Sequence, residues 1–507
     1  MSKQKLVVSR RGLLAGVAAS AILPWLPRPS HAAPALAPDW DDLAKLIGSP
    51  VLLPNDPRFV NLTQPENLYY YRPANTVGAP MAVVRPPTPE AIAQSIKWAA
   101  DRKIPLVARS GGHSYAGCST IPGLIINTAE LRHVTYDASS NLLEIGGGTL
   151  NVDIFKALQG RTPGMAIVHG RCSAVGASAY LMGGGIGFDM RSFGVGCDLV
   201  DSVDVALAPD EKTGQRRMVT ASKDNDASDL FWAVRGGGGG NLGIATAWRL
   251  RPFAVERAAT FVASWPAAND KPSLALFTRI VRGVENSPLE LGAQVTLGAP
   301  RGKHWPTSIR LTGQYRGTWA DFNAKCPGLL DGANQPVPHV EGAYWDIQEF
   351  LDQVVIPNRY LETSLFTGLL SEDAIGTLFD RFGTWPGTTS AARITFFRTG
   401  GKMNTVAPAA TAFVHRQSEW LADTSVDWDD CDTIQDVYNG LRWQRDVHAA
   451  LDQAFAGQGS YQNFPDPGLA NHGVAYWGAN LERLVEVKLK YDPQFVFTPP
   501  QNQEIAG

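Results

Sequence analysis

Apolar residues in the first half of the chain fall into short runs, and glycine ends most of them. Residues 106–108, 124–126, 134–136 and 142–145 each read as a short strand. The first runs straight into Arg109-Ser110-Gly111-Gly112-His113-Ser114, and the last stops at Gly146-Gly147-Gly148. Thr88-Pro89-Glu90 opens a helix through Trp98 with Ile92, Ile96 and Ala99 on one face, and Asn151 is expected to cap a short helix to Leu158. Residues 176–187 read as a helix of small residues emptying into a triple glycine. Residues 200–207 alternate as a strand, 229–234 form a short helix before Arg235 and five glycines, and residues 241–246 open a strand through Leu250. Short strands broken by glycine turns predict an α+β domain and not the regular βαβ alternation of a doubly wound sheet.

From about Pro252 glycine thins and longer amphipathic stretches appear at 274–284, 344–355 and 373–382, with strand-like segments at 294–297 and 309–312 between them. Residues 252–445 are therefore expected to form a second α+β domain covering a ligand bound by the first, which spans 33–251. Residues 446–507 return to polar, aromatic-rich loops and are expected to rejoin the first domain.

Composition changes this picture little. With 507 residues, 44% hydrophobic, 18% charged and a net charge of −3, the chain reads as globular, and it lacks the basic patches that nucleic acid requires. The first residues change it more. Ser9-Arg10-Arg11-Gly12-Leu13-Leu14, an apolar run to Leu26 and Ser30-His31-Ala32 before Ala33 predict a twin-arginine signal over 1–32. The run is shorter than the about 20 apolar residues that span a bilayer, so no stable membrane anchor is expected. Resemblance to twin-arginine substrates implies passage in the folded state, cofactor included, and a periplasmic or secreted bacterial protein. The five cysteines, Cys118, Cys172, Cys197, Cys326 and Cys431, lack CxxC spacing, so no metal site is expected.

The chemistry gathers at His113 and Cys172, each in a glycine-bearing loop, Gly170-Arg171-Cys172-Ser173-Ala174-Val175-Gly176 being the second. Both could reach one flat organic ring, which points to a flavin held by the protein. Glycines 236–240 and Gly243 open no helix after a first strand, so they are not a dinucleotide fingerprint of the Rossmann kind.

Four blocks, residues 109–114, 170–187, 229–243, and Tyr461-Gln462-Asn463 with 482–493, resemble the berberine-bridge-enzyme-like subgroup of the vanillyl-alcohol-oxidase-type FAD proteins. The resemblance implies an α+β fold with a PCMH-type FAD-binding domain and a substrate domain whose antiparallel sheet covers the flavin. It implies bicovalent FAD, through His113 to the 8α-methyl and Cys172 to ring C6. Ser173-Ala174 departs from the Pro-Thr of many relatives and bears on the second bond. Cofactor contacts are expected from Arg109, Ser110, Gly111, Gly112, Ser114, Gly148, Thr149, Val175, Gly176, Gly184, Gly187, Gly237, Asn241, Gly243, Ile244 and Asn463. Val175 would admit O₂, Tyr461 would act as base with Asn463 orienting flavin or substrate, and Arg398, Lys402 and His415 are pocket candidates. Phe464 stands where the family has a second tyrosine. By residue type alone, His113 is equally a hydrogen-bonding loop residue, Val175 a core residue and Tyr461 a pocket lining. The implied activity is an exported oxidase of a hydroxyl-bearing carbon, with a sugar, glycoside or other alcohol as substrate and O₂ as acceptor. A dehydrogenase with another acceptor, an oxidase of amines or phenols, and a binding protein that has lost catalysis remain alternatives. Oligomeric state is open.

Overall fold

The computed structural model describes residues 38–498 except 74, 75, 77, 300, 301, 303–307, 353–356 and 388–390; the expected signal at 1–32 lies outside the described residues. From Asp39 onward the chain is one compact unit, built of two lobes around separate sheets.

The first lobe holds two small sheets. In one, the parallel strands Ala82–Val84, Leu124–Asn127 and Leu106–Arg109 lie side by side, and Val51–Leu52 adds antiparallel at the edge. Helix Pro89–Asp101 covers it; Thr88 caps the first turn by accepting from the Ala91 N–H, and Ala91, Ile92, Ile96 and Ala99 are buried on its inner face. The other sheet is antiparallel, in the order Val134–Asp137, Leu142–Gly146, Ile244–Leu250, Val200–Leu207 and Arg217–Ser222. The small-residue helix is shorter than its pattern, Ala177–Met182, and the helix expected after an Asn151 cap begins one residue earlier, at Asn151 itself. Asn151 lies inside that helix, where its side chain donates to Cys172 O and Gly170 O.

The second lobe is a seven-stranded antiparallel sheet ordered His339–Ala343, Arg257–Pro266, Ser308–Tyr315, Leu291–Ala299, Ala392–Arg398, Trp420–Trp428 and Arg359–Thr367. A strand's period of two gives this sheet unlike faces. Val295, Leu297, Ile309, Leu311, Ile394, Phe396, Trp420 and Ala422 join one apolar core with helices Lys271–Glu285, Glu372–Phe382 and Ile434–Phe455. Each of those side chains, once buried, contributes on the order of 1.5–3 kcal/mol if large. The alternate positions, among them Gln294, Thr296, Arg310, Thr312, Thr395 and Asp423, turn to a cavity shared with the first lobe.

Helix Ile434–Phe455 runs unbroken through position 445, so the expected boundary there falls inside an element packed on the second lobe. The return to the first lobe comes with His472–Trp477 and Leu481–Tyr491, whose Trp477, Leu484 and Val487 join the first lobe's core. Of the 344–355 stretch, Tyr344–Leu351 is a short 3₁₀ segment followed by extended Asp352, and the rest lies outside the described residues. Residues 411–416 form no strand; Ala412 and Phe413 donate to Trp232 O and Arg235 O beside the 228–233 helix.

Candidate active site

Strand Leu106–Arg109 delivers the chain into the 110–114 loop, which packs directly on the 172–176 loop. A Cβ added at Gly111 would stand 2.3 Å from Ala174 O, and one at Gly176 would stand 2.1 Å from Ser110 Oγ. Only main chain fits between the loops at these two positions. The N–H groups of Gly111, Gly112, His113 and Ser114 take no partner within the described protein while their residues line the cavity. Ser110 Oγ is buried without a partner. Such an array of unspent donors is a cradle for an anion.

The cavity between the lobes has a volume of about 830 Å³. Of the sequence-predicted residues it is lined by Ser110, Gly111, Gly112, His113, Ser114, Cys172, Val175, Gly176, Gly187, Gly243, Ile244, Tyr461 and Asn463. Six others stand behind the wall. Arg109 turns away to donate to Gln64 O at 2.7 Å. Thr149 Oγ1 donates to His133 O, and a Cβ at Gly148 would press on Thr128 O. Gly184 packs on the Phe413 ring, Gly237 donates to Ala233 O, and the Asn241 amide donates to Gly237 O at 2.6 Å. These six support the loops from behind, and Gly147, Ser178, Ala179, Gly239 and Gly240 also face the cavity.

His113 and Cys172 meet. The Cys172 thiol contacts the imidazole, and His113 Nδ1 lies 2.8 Å from Glu66 Oε2. His113 Nε2 is buried with no hydrogen-bond partner. Asn67 ties this loop to the second lobe, donating to Tyr115 O at 2.7 Å and Tyr360 O at 2.6 Å. Tyr115 bridges the two sides, its ring 5.4 Å from those of both His113 and Tyr360.

Tyr461 lines the cavity with its hydroxyl held by the protein. Its hydroxyl oxygen accepts from the N–H groups of Gly185 at 3.1 Å and Ile186 at 3.2 Å, and from the Asn463 amide at 3.2 Å. The side chain is buried, and burial pushes its pKa up to about 12 against the pull of those donors. Asn463 also donates to Tyr180 O, so its amide braces the triple-glycine turn. Of the other pocket candidates, Arg398 lines the cavity but its guanidinium donates to Glu419 Oε2 at 2.6 Å. His415 is stacked on Phe366 and held by Tyr476 O, and Lys402 is not in the lining.

The groups that sequence reasoning missed lie on the polar face of the second-lobe sheet. Asp423 stands opposite Ser364, and Glu362 opposite Ser425, so the two carboxyls are diagonal neighbours on adjacent strands. Each has a buried oxygen without a partner, Asp423 Oδ1 and Glu362 Oε1. Burial pushes Asp423 up to about 7; Arg393 pulls against that and Asp427 adds to it. Burial and the Asp423 charge drive Glu362 well above the ordinary carboxyl range. Arg393 donates to Asp427 at 2.7 Å and its exposed surface faces the cavity. Arg310 lines the same face. A carboxylate inside an apolar strand run was the available signal, in Tyr360-Leu361-Glu362-Thr363 and Leu421-Ala422-Asp423-Thr424.

A long, flat, anionic cofactor fits what is present: a main-chain donor cradle at one end, a glycine-made slot, and a thiol and an imidazole at one wall. Residues 80–213 match the family described as FAD binding domain, and residues 460–502 match that described as berberine and berberine like. The FAD-linked oxidoreductase YgaK of Bacillus subtilis (strain 168) is 27% identical over 80% of this chain and 86% of its own. Glucooligosaccharide oxidase of Sarocladium strictum is 26% identical over 82% of this chain and 86% of its own. The structure of xylooligosaccharide oxidase from Myceliophthora thermophila C1 in complex with xylobiose superposes with a TM-score of 0.77 at 25% identity, covering 91% of this chain and 98% of that one. A PCMH-type flavin lobe with an antiparallel sheet over it, the FAD-binding segment and the berberine-like C-terminal segment together identify a FAD-linked oxidoreductase that is similar to the berberine-bridge-enzyme-like proteins.

Proposed function

We propose that the protein is an exported oxidase that carries bicovalent FAD on His113 and Cys172 and oxidises a hydroxyl-bearing carbon of a carbohydrate, reducing O₂ to H₂O₂. The single observation that carries the reading is the Asp423–Glu362 pair, buried on a polar sheet face that lines the same cavity as the His113 loop. Oxidising an alcohol to a carbonyl removes the hydroxyl proton as the hydride leaves carbon, and a base tuned near the working pH is suited to the first part. Asp423 is that base, Glu362 staying protonated beside it so that only one negative charge is buried. FAD, when bound, supplies the hydride acceptor and passes the electrons to O₂.

The rest of the sheet face orients the substrate. Arg310, Thr296, Thr395 and Asp423 lie in one cross-strand row, and Thr296 and Thr395 hydrogen-bond to each other at 3.1 Å. A row of donors and acceptors over several strands suits a polyhydroxylated substrate, and oligosaccharide oxidases stand among the similar proteins. Val175 lines the cavity, consistent with a role in O₂ access. The twin arginines at Arg10 and Arg11 support export.

The test is to mix anaerobic protein with sugars, oligosaccharides and simple alcohols, record flavin bleaching, then admit air. Bleaching by an oligosaccharide, reoxidation within seconds and stoichiometric peroxide are expected. Reoxidation over minutes would instead make it a dehydrogenase. For export, Arg10→Lys with Arg11→Lys should retain the protein in the cytoplasm on fractionation; unchanged export would remove that part of the reading.

A further inference from the structure

We infer that Asp189, Tyr344 and His169 are positioning residues for the Cys172 loop, joined in one directed chain: Asp189 as a neutral acid donates to Tyr344, Tyr344 to His169 Nε2, and His169 Nδ1–H to Gly170 O. The consequence for flavin attachment rests on the two-tether reading proposed above, and the shared proton does not. Tyr344 Oη lies 2.6 Å from Asp189 Oδ2 and 2.9 Å from His169 Nε2, and His169 Nδ1 lies 2.8 Å from Gly170 O. Tyr344, Asp189 and His169 are only 2%, 4% and 6% exposed, so bulk water does not satisfy them and they must satisfy one another.

The hydrogens can be arranged in two ways. A carbonyl only accepts, so His169 Nδ1 carries a hydrogen, and a phenol has one hydrogen to give. If Tyr344 gives it to Asp189, His169 Nε2 must also be protonated to meet the phenol oxygen. If Tyr344 gives it to His169, Asp189 must be protonated. Either way the trio holds one proton more than an ordinary aspartate and histidine hold at neutral pH. The surroundings place that proton on Asp189. The His169 ring packs against Phe155 at 4.9 Å and Trp345 at 4.8 Å, and burial pushes its pKa down to about 4. Burial pushes Asp189 up. Arg316 is the cation facing it, with Nε 3.0 Å from Oδ1, yet that Nε makes no hydrogen bond and the other end of the guanidinium donates to Ser192 Oγ. Tyr180 spends its hydroxyl on Ile186 O, and Gln314 and Gln348 add only neutral amides.

The chain couples the two lobes. His169 and Asp189 belong to the first. Tyr344 directly follows strand His339–Ala343 of the second-lobe sheet, and Gln314 of strand Ser308–Tyr315 donates to Asp189 Oδ2 at 3.0 Å. At the other end, Gly170 O opens the loop that carries Cys172, whose own carbonyl accepts from the Asn151 amide at 3.0 Å. Without the Tyr344 hydroxyl, His169 Nε2 has no donor and the loop loses its tie to the sheet. A misplacement of about 1 Å at a reacting atom costs on the order of 10²-fold in rate.

The test uses the full chain. With isotope-labelled aspartate, the infrared difference between wild type and Asp189→Asn should show a carboxylic-acid band from Asp189 that persists at about pH 9, where ordinary carboxyls are ionised. Nitrogen NMR of labelled histidine, assigned with His169→Gln, should show His169 neutral with its hydrogen on Nδ1 at the same pH. An ionised Asp189 beside a neutral His169 would overturn the shared proton, and a His169 imidazolium would overturn its place on Asp189. For positioning, wild type and Tyr344→Phe are produced under riboflavin limitation and loaded with FAD, and alkylation of Cys172 after acid unfolding reads the cysteine bond. Tyr344→Phe should bind FAD yet form that bond about 10- to 100-fold more slowly. Formation at the wild-type rate would overturn the positioning role, and so would loss of FAD binding, which marks a purely structural one. If Tyr344→Phe does not fold, the wild-type spectra still decide the chain. A wild-type Cys172 that stays fully open to alkylation would instead overturn the tether reading, while the spectra judge the shared proton separately.

Discussion

On the flavin side of the cavity the wall is main chain, and on the sheet side it is side chain. Gly111 and Gly176 let two loops touch with no room for a Cβ, and the cradle they form offers N–H groups. Opposite them, Asp423, Glu362, Arg393 and Arg310 project from strands whose other face is packed with Leu, Ile, Phe and Trp. The first wall tolerates almost no change in shape where the two loops touch. The second keeps its backbone whatever the polar residues are, because the helix side holds the sheet. Cofactor binding is therefore sensitive to volume, and turnover is sensitive to charge.

The largest expected break in that comparison comes from Gly111→Ala. Its Cβ must displace main chain at Ala174 and Gly176, which costs about 1–3 kcal/mol and parts the loops. Purified protein should have lost most of its flavin, read as the ratio of flavin to protein absorbance. Retained flavin would show that the loops yield more readily than their contacts imply.

Asp423→Asn should keep flavin attached while kcat falls by about 10²- to 10⁴-fold, the usual worth of a general base. Wild-type activity should rise with pH through about 7, since Asp423 must lose its proton to act, and the Asn variant should lose that limb. Tyr461→Phe sharpens the contrast. It strands the N–H groups of Gly185 and Ile186, so it should lower stability by about 1–3 kcal/mol in denaturant unfolding while turnover changes less than about tenfold. A loss matching that of Asp423→Asn would return the base role to Tyr461. The smallest effect is expected for Arg310→Ala, a several-fold rise in KM with kcat and flavin content unchanged, as fits uniform substrate binding.

How much was legible differs between the walls for the same reason. The loops were readable because glycine placement is a local matter: Ser110-Gly111-Gly112-His113-Ser114 and the 172–176 loop announce close backbone approach in the sequence itself. Even there, Arg109, Gly184, Gly237 and Asn241 share the blocks, and Gly148 and Thr149 end a glycine run, but all six support the wall from behind, which sequence adjacency does not reveal. Tyr461 carried the expected chemistry by residue type, yet three donors on its oxygen are supplied by Gly185, Ile186 and Asn463, two of them far away along the chain.

The sequence by itself determined the α+β class, the change of character near Pro252 and the glycine-bearing loops that carry His113 and Cys172, because propensity, glycine spacing and side-chain chemistry are local. Only the tertiary structure decided what faces those residues. Glu66 reaches His113 from a segment 47 positions earlier, and Asp423 and Glu362 become neighbours only when strands 61 residues apart pair in register. Burial then sets their protonation, and burial belongs to the packed chain and to no residue alone.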